Sequence, residues 1–346
     1  MSQPWWRPES LARRRDNLAA RGRILSAVRE LFAAADYVEV ETPALQVSPG
    51  LEPHLKAFRT TLQDPREGRA RPFYLHTSPE FAMKKLLAAG LPRIWQLAHV
   101  FRDGERSATH HPEFAMLEWY RAEAGYRDQM DECEALLRQV QAAAGVPALR
   151  WRGHSADANN AWERLTVAEA FDRYAAIDIL ATIDDPARPT PARLAGAAAA
   201  IDVAPHPGDD WETLFFRILL ERIEPQLGLG APTILYDYPV SMAALSRRKA
   251  EDPRLAERFE LYVCGLELAN AFGELTDPAE QRARFAADQA RKQALYGEVY
   301  PIDEDFLAAL EHGLPRCAGV ALGFDRLVML ATGAERIEDV LWAPVA

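Results

Sequence analysis

Hydrophobic residues recur every three or four positions over 11–35, which predicts an amphipathic helix. Residues 37–40 then alternate like a short strand, which Pro43 ends. Ser78 and Pro79 are a typical helix start, with serine as the cap and proline in the first helical position. From this start and the periodicity we predict further helices over 79–90, 128–144, 209–227, 278–296 and 323–330.

Shorter apolar or alternating stretches predict strands, and polar stretches predict loops. The strands are expected at 73–77, 94–102, 113–121, 233–239, 259–272 (interrupted at Gly265) and 317–322. Residues 60–72 are expected to form a loop or a hairpin tip, and residues 145–160 a loop. Alternation in 113–121 places four side chains on one face: Phe114, Met116, Glu118 and Tyr120.

The strands are not spaced as regular strand–helix repeats, because two of them enclose only a polar loop. This favours the α+β class, with an antiparallel β-sheet flanked by helices. No glycine-rich dinucleotide or P-loop signature supports a doubly wound sheet. We expect one domain over 1–346.

Composition narrows the functional classes. The chain has 346 residues, with 40 Lys and Arg against 51 Asp and Glu, a net charge of −11. Recognition of nucleic acid through net positive charge is thereby excluded. The three cysteines are far apart, which argues against a disulfide framework or a zinc site and favours a reducing cytoplasm. No apolar run is long enough for a membrane span.

Arg102 and Arg326 are candidate phosphate ligands. Arg102 ends a strand before a polar loop, where it can grip a phosphate, or else belong to a solvated hairpin tip. Arg326 follows Gly323 in the first turn of a helix, where anions are favoured. The structural alternative there is tight packing, with a local ion pair between Asp325 and Arg326.

Acidic residues in apolar strands are further candidates. Glu260 and Glu267 could hold Mg²⁺ against a nucleotide, bind an ammonium group, or pair with core arginines. Glu118 and Tyr120 suit either an acid/base pair or the binding of polar substrate groups. His110 and His111 point to opposite faces if they lie in a strand, so a shared metal ion is disfavoured.

Taken in order, these segments resemble the catalytic core of the class II aminoacyl-tRNA synthetases. Residues 24–45 resemble motif 1, residues 94–121 motif 2 and residues 317–331 motif 3. The lysyl-like subgroup is the most similar, on the segments 110–120, 257–262 and 265–272. In this family motif 1 builds a dimer interface, so the resemblance implies a homodimer.

Motif 1 starts within the first fifty residues, so we expect no N-terminal OB-fold for the anticodon. The short form resembles synthetase paralogues that ligate (R)-β-lysine to elongation factor P. Trp5-Trp6, Ala321 and the small residues of 239–245 resemble these ligases more than lysyl-tRNA synthetases. The resemblance implies activation of (R)-β-lysine or lysine as an adenylate, transfer to a lysine of elongation factor P, and no stable tRNA complex.

The resemblance also implies roles for individual residues. Arg102 would contact the α-phosphate and the substrate carboxylate, and Arg326 the γ-phosphate end. The amino acid would bind Ser78, Pro79, Glu80, Tyr120, Glu267 and Ala321. ATP would bind Arg102, Asp103, Gly104, Glu105, His111, Glu260, Leu261, Gly323 and Arg326, with Mg²⁺ on Glu260 and Glu267.

Two positions depart from the family pattern. The motif 2 glutamate is one place late, at Glu105, and His111 stands where asparagine is common. Three alternatives stay open: a truncated lysyl-tRNA synthetase-like enzyme that acylates tRNA or a small amine, a non-catalytic regulatory paralogue, and a class II asparagine synthetase. Net charge disfavours the first, and the retained arginines and glutamates disfavour the second.

Overall fold

The computed structural model of the protein describes residues 4–64 and 68–345. Its helices are α1 (Pro8–Ala34), α2 (Glu80–Ala88), α3 (Tyr126–Ala144), α4 (Val167–Ala175), α5 (Pro191–Ala200), α6 (Trp211–Ile218), α7 (Pro278–Tyr296), α8 (Glu304–Gly313) and α9 (Phe324–Thr332). No helix among these residues is both long and apolar enough to cross a membrane.

The strands of the same residues are short and mostly antiparallel. They are β1 (Val38–Glu39), β2 (Leu45–Gln46), β3 (Arg59–Asp64), β4 (Arg69–Leu75), β5 (Arg93–Phe101), β6 (Glu113–Ala122), β7 (Leu149–Trp151), β8 (His154–Ala156), β9 (Glu163–Thr166), β10 (Thr233–Pro239), β11 (Leu255–Val263), β12 (Leu266–Gly273) and β13 (Cys317–Gly323). The chain divides into two compact units, the second of which is Gly125–Leu275.

The first unit contains the strands β1, β5, β6 and β13, paired in that order. β5 and β13 are both antiparallel to β6, whereas β1 pairs with β5 in parallel. Gln96, Glu118 and Ala321 lie side by side across β5, β6 and β13, so they share one face. A separate sheet of β2, β4 and β3 precedes α2.

Helix α1 packs its apolar positions inward, as its periodicity requires. Leu18, Ile24, Val28 and Phe32 are buried, and Phe32 stacks on Trp95 of β5 with ring centroids 5.1 Å apart. Offset aromatic pairs at this distance add to the energy of burial. The packing fixes the helix that opens the chain against the sheet of the first unit.

In the second unit β9, β10, β11 and β12 are paired in that order, with β9 parallel to β10. The predicted interruption at Gly265 is a two-residue hairpin turn between β11 and β12. Cys264 and Gly265 both have positive φ, 56° and 72°, as a type I′ turn requires. The core of this unit includes the stacked rings of Phe171, Phe215 and Trp211.

The α+β prediction is confirmed. The sheet is not wholly antiparallel as expected, because β1 pairs with β5 and β9 pairs with β10 in parallel. The one-domain expectation for 1–346 stays a prediction. Of the two alternatives for 60–72, the hairpin is the one observed, because β3 and β4 pair antiparallel there and extend the hairpin over most of the range. The loop prediction for 145–160 was wrong, because this range contains β7 and β8. Helix 209–227 is α-helical only to Ile218; a π turn and a 3₁₀ turn around Pro225 complete it. The short elements α4, α5, α8 and β9 were not predicted.

Candidate active site

Glu118 of β6 is the centre of a buried polar cluster in the first unit. Its side chain is fully buried, and its two oxygens have different partners. Ser78 donates from Oγ to Glu118 Oε1 at 2.6 Å, and the Tyr120 hydroxyl donates to Oε2 at 2.7 Å. Tyr120 reaches Glu118 because residues two apart on a strand share a face. Ala321 lies opposite Glu118 in the neighbouring strand.

The cluster is strongly acidic in its electrostatics. Burial, and next the charge of Glu80, raise the pKa of Glu118 to about 8, against the lowering effect of its hydrogen bonds. Lys84 donates to Glu80 Oε1 at 2.5 Å, one helical turn along α2, and both residues are buried. One lysine therefore faces two buried carboxylates, which leaves the cluster suited to a cationic ligand.

The start of α2 differs by one residue from the prediction. The helix begins at Glu80, and Pro79 occupies the cap position that was assigned to Ser78. Ser78 nevertheless accepts a hydrogen bond from the Glu80 amide at 3.1 Å while it donates to Glu118. The serine thus joins the helix start to the acidic cluster.

Arg102 follows β5 and is held from several sides. Its Nε donates to the Thr77 carbonyl at 3.4 Å, and its Nη1 lies 3.9 Å from Glu105 Oε1. The guanidinium also lies over the ring of Phe114, 5.2 Å from the centroid. Glu105 is therefore beside Arg102, although it is one place late in the motif.

The loop between Arg102 and Glu105 turns at Gly104, where φ is 84°. Asp103 forms a surface ion pair with Lys56 at 3.0 Å, and its amide donates to the Lys56 carbonyl at 2.7 Å. Asp103 therefore anchors the loop toward the segment before β3.

Arg326 is the third residue of α9, whose N-cap is Gly323. Its Nε donates to the Thr109 carbonyl at 3.3 Å, and its Nη2 lies 2.8 Å from His110 Nε2. Arg326 is thus joined to the loop between β5 and β6. The electrostatic environment of His110 includes Arg326, Glu105 and Arg102, which brings the two candidate phosphate ligands into one neighbourhood.

The expected alternative of a local Asp325–Arg326 ion pair was wrong. Asp325 is buried; its Oδ1 pairs with Arg21 of α1, and its Oδ2 accepts from the Ala115 amide at 2.7 Å. A buried carboxylate needs hydrogen-bond donors, and those of Asp325 come from α1 and β6. The two contacts therefore join α9 to these elements.

His111 is buried, and its ring is held by main-chain groups. Nδ1 lies 2.5 Å from the Glu113 carbonyl, and Nε2 accepts from the Val345 amide at 3.2 Å. In this arrangement Nδ1 carries the proton. His110 and His111 do not converge on one metal site, since His110 contacts Arg326 instead.

In the second unit Glu260 of β11 is buried and accepts three hydrogen bonds. The hydroxyls of Tyr238 and Tyr262 donate to Oε2, each at 2.6 Å, and Arg258 donates to Oε1 at 2.5 Å. The expected pairing with a core arginine is thus present. Leu261 is fully buried on the opposite face of the strand.

The hairpin of β11 and β12 places further oxygen ligands beside Glu260. Asn270 lies opposite Glu260, and Glu267 lies opposite Tyr262, with a bulge between these pairs. All four side chains therefore share a face. Asn270 Oδ1 is buried without a partner among the described residues, which fits a site for a cation or another donor.

Mg²⁺ usually binds one or two protein carboxylates together with water and phosphate oxygens. Glu267 and Asn270 fit that requirement, whereas Glu260 would accept the ion on its remaining lone pair or release one of its three donors. Within 4–64 and 68–345 no three His, Cys, Asp or Glu side chains are grouped as a complete metal cage.

Several residues of these clusters were not predicted as site residues from the sequence. Glu118 was a candidate, with Tyr120, for an acid/base pair or for binding polar substrate groups, but it was not among the residues assigned to the substrate. Lys84 was recognisable from its four-residue spacing to Glu80, and Asn270 from its place in the lysyl-like segment. Glu52, described below, has no local sequence signal.

Comparison with known proteins agrees with this geometry. The family model described as tRNA synthetases class II (D, K and N) matches residues 9–345, so the chain belongs to this family. Within it, the chain is 40% identical over 343 residues to the elongation factor P–(R)-β-lysine ligase of Proteus mirabilis, covering 98% of this chain and 97% of the relative.

Two further ligases of the same name are similarly related. The protein of Vibrio cholerae is 40% identical over 327 residues, 94% of either chain. The protein of Photorhabdus laumondii is 41% identical over 336 residues, covering 97% of this chain and 96% of the relative. The resemblance inferred from the motifs is therefore confirmed.

Proposed function

We propose that this protein is an ATP-dependent ligase that activates (R)-β-lysine, or lysine, and transfers it to a lysine of elongation factor P. In the first step a substrate carboxylate oxygen attacks the α-phosphorus of ATP. The bond to the β-phosphate breaks, which yields the aminoacyl-adenylate and pyrophosphate. In the second step the neutral ε-amine attacks the acyl carbon, forms an amide bond, and releases AMP and a proton.

The proposal rests mainly on buried Glu118, whose carboxylate accepts hydrogen bonds from Ser78 and Tyr120. A buried carboxylate is unfavourable unless a cation compensates its charge. Lys84, which pairs with Glu80, compensates Glu118 only in part, because the pKa of Glu118 remains raised. An ammonium group of the substrate supplies the missing charge. Ser78 and Tyr120 orient the carboxylate, while Pro79, Glu80 and Ala321 line the same region of the first unit.

Arg102 and Arg326 supply positive charge without acting as acids or bases. We assign Arg102 to the α-phosphate and the substrate carboxylate, and Arg326 to the γ-phosphate. Charge builds up on the phosphate oxygens as the carboxylate attacks, so fixed guanidinium groups stabilise the transition state more than the ground state. Glu105 and Phe114 restrain Arg102, and Thr109 and His110 restrain Arg326.

ATP binding is further assigned to Asp103, Gly104, Glu105, His111, Glu260, Leu261 and Gly323. Glu260 and Glu267 of the second unit would hold Mg²⁺, to which we add Asn270 through its Oδ1, which has no hydrogen-bond partner within 4–64 and 68–345. When bound, Mg²⁺ neutralises phosphate charge. Glu267 is also assigned to the substrate, because an acidic side chain can accept from an ammonium group.

The acceptor is proposed to be a protein and not tRNA. The names of the relatives support this, as does the net charge of −11, which disfavours a stable tRNA complex. We further propose a homodimer through motif 1 and a cytoplasmic location, where ATP and elongation factor P are available.

The test is mass spectrometry of elongation factor P after incubation with this protein, ATP, Mg²⁺ and either (R)-β-lysine or α-lysine. Unmodified tRNA is included as a competing acceptor. A lysyl-sized mass gain on the protein, larger with (R)-β-lysine, is the expected result. Acylated tRNA without modified protein would replace the proposal by a truncated synthetase, and no product on either acceptor would refute ligase activity.

A further inference from the structure

Glu52 lies in the loop between β2 and β3 and has a buried, unsatisfied carboxylate oxygen. Its Oε2 has no hydrogen-bond partner among the described residues. Burial, and next the charge of Glu80, raise the pKa of Glu52. A carboxylate can only accept hydrogen bonds when ionised, so burial without a donor is costly unless a ligand supplies one.

A glycine makes this position of Glu52 possible. Gly50 has a φ of +117°, which residues with a side chain rarely adopt. A Cβ at this position would lie 2.7 Å from Glu52 Oε2 and 3.1 Å from Thr77 Oγ1. The loop is therefore folded so that the carboxylate comes close to its backbone.

A second unsatisfied polar group lies in the same place. Ser48 is only 3% exposed, and its Oγ has no partner among residues 4–64 and 68–345. Ser48 and Glu52 line one cavity with Gly50, Thr77, Ser78 and Glu80. Two polar groups that are buried around one cavity without partners point to a polar ligand, because buried polar groups are normally hydrogen-bonded.

The nearest cations are already engaged by other groups. Lys292 donates to the carbonyls of Pro53 and Leu55 at 3.0 and 2.5 Å, and lies over the ring of Tyr300. Arg102 donates to the Thr77 carbonyl. Both cations still lower the pKa of Glu52, but they act through charge and not through a hydrogen bond to its Oε2.

Glu52 lies near Arg102, whose charge lowers the pKa of Glu52. Thr77 connects them, because its carbonyl accepts from Arg102 and its hydroxyl donates to the Pro49 carbonyl at 2.7 Å, next to Gly50. Arg102 is the residue assigned to the substrate carboxylate. A donor that meets Glu52 is therefore close to the carboxyl end of the substrate, whereas Glu118 is held by Ser78 and Tyr120.

We propose that Glu52 is a specificity-determining residue that binds the substrate ammonium group nearer the carboxyl group. The inference rests on the proposed function, because it takes the ligand to be a diamino acid. Glu52 and Glu118 then bind the two ammonium groups separately. A substrate that has only the distal amine leaves Glu52 without a partner and binds weakly.

The test compares two ligands that differ in that one amine, (R)-β-lysine and 6-aminohexanoate. Calorimetry without ATP measures binding to the wild type, to Glu52→Gln, and to the control Glu41→Gln, which alters an exposed acid between β1 and β2. We expect Glu52→Gln to weaken (R)-β-lysine binding roughly 10- to 100-fold. Binding of 6-aminohexanoate stays unchanged or improves, and the control matches the wild type.

Kinetics and folding controls separate binding from structural damage. In pyrophosphate exchange, Glu52→Gln raises the KM for (R)-β-lysine far more than it changes kcat. Glu52→Asp keeps the charge on a shorter side chain and restores part of the preference. Glu52→Gln removes a buried charge at constant shape, so its thermal unfolding midpoint is expected at or above that of the wild type.

Equal weakening of both ligands, or of neither, would overturn the role of Glu52. So would a wild type that does not prefer (R)-β-lysine over 6-aminohexanoate. Failure to modify elongation factor P is a separate result, because it refutes the acceptor but leaves the binding comparison intact.

Discussion

Nη2 of Arg326 lies 2.8 Å from Nε2 of His110, on the loop between β5 and β6. Burial, and next the charge of Arg326, lower the pKa of His110, so the imidazole is neutral at neutral pH. Its Nδ1 lies 2.8 Å from Ser107 Oγ. The ring therefore accepts from Arg326 on Nε2 and donates to Ser107 from Nδ1, which makes His110 a positioning residue for Arg326.

Replacing His110 by alanine is expected to lower kcat/KM for ATP in pyrophosphate exchange by roughly tenfold, the usual effect of one hydrogen bond to a charged group. The exposed His312, replaced by alanine, serves as the control. In the wild type the activity falls as the pH drops through the lowered pKa, because protonated His110 repels Arg326. If the His110 variant lost activity at low pH as the wild type does, His110 would not be the group that positions Arg326.

Arg326→Ala is expected to abolish adenylate formation and leave the fold intact, because it removes the proposed γ-phosphate ligand. Arg326→Lys keeps the charge but loses the planar fork, so it recovers little activity. The measurements are pyrophosphate exchange and the circular dichroism spectrum. Unchanged exchange in Arg326→Ala would remove this residue from the mechanism.

Local patterns were sufficient to predict the elements that carry the site, but not its contacts. β6 and α7 follow directly from alternation and helical periodicity, which depend on neighbours in sequence. The contact between Ser78 and Glu118 joins residues 40 positions apart, so no local pattern reports it. The position of Glu52 Oε2, which has no hydrogen-bond partner in the described part of the chain, depends on the backbone at Gly50 and on burial by other segments. The short helix α4 was missed although a local signal marks its start, the capping box formed by Thr166 and Glu169.

Glu118 makes stability depend on pH in the opposite sense to an ordinary paired acid. The unfolded chain loses this proton near its ordinary pKa of about 4.3, whereas the folded protein keeps it up to about pH 8. Between these values the folded state binds more protons, so its stability falls as pH rises, by at most about 1.4 kcal/mol per pH unit.

We expect Glu118→Gln to remove this contribution, which is measured as the difference between the two urea-unfolding curves from pH 5 to 8. The exposed Glu221→Gln is the control. The Glu118 variant gains stability relative to the wild type with rising pH, and it loses substrate binding because the ammonium group has no carboxylate. A constant difference across this range would show that Glu118 is not protonated in the folded protein.

The buried ion pair between Arg21 and Asp325 predicts a structural role for the acid of motif 3. Asp325→Ala leaves Arg21 and the Ala115 amide without their acceptor, which is expected to cost about 3–5 kcal/mol in the free energy of unfolding. Denaturant unfolding measures the loss. In a double variant with Arg21→Met the cost is smaller, because no unpaired buried charge remains; an additive or larger cost would contradict the pairing.

Ala321 and Glu118 face each other across β13 and β6, so the alanine methyl shapes the space beside the acidic cluster. Ala321→Gly removes that methyl, and we expect the ratio of kcat/KM for (R)-β-lysine to that for α-lysine to fall by roughly tenfold, the effect of one methyl-sized change in a binding pocket. Pyrophosphate exchange with each amino acid measures the ratio.

Ala318→Gly is the matched control for Ala321→Gly, because it removes a methyl from the other face of the same strand. It is expected to reduce stability, since Ala318 is fully buried, and to keep the substrate ratio of the wild type. Equal shifts in the two variants would attribute the change in preference to the strand backbone and not to the space beside Glu118.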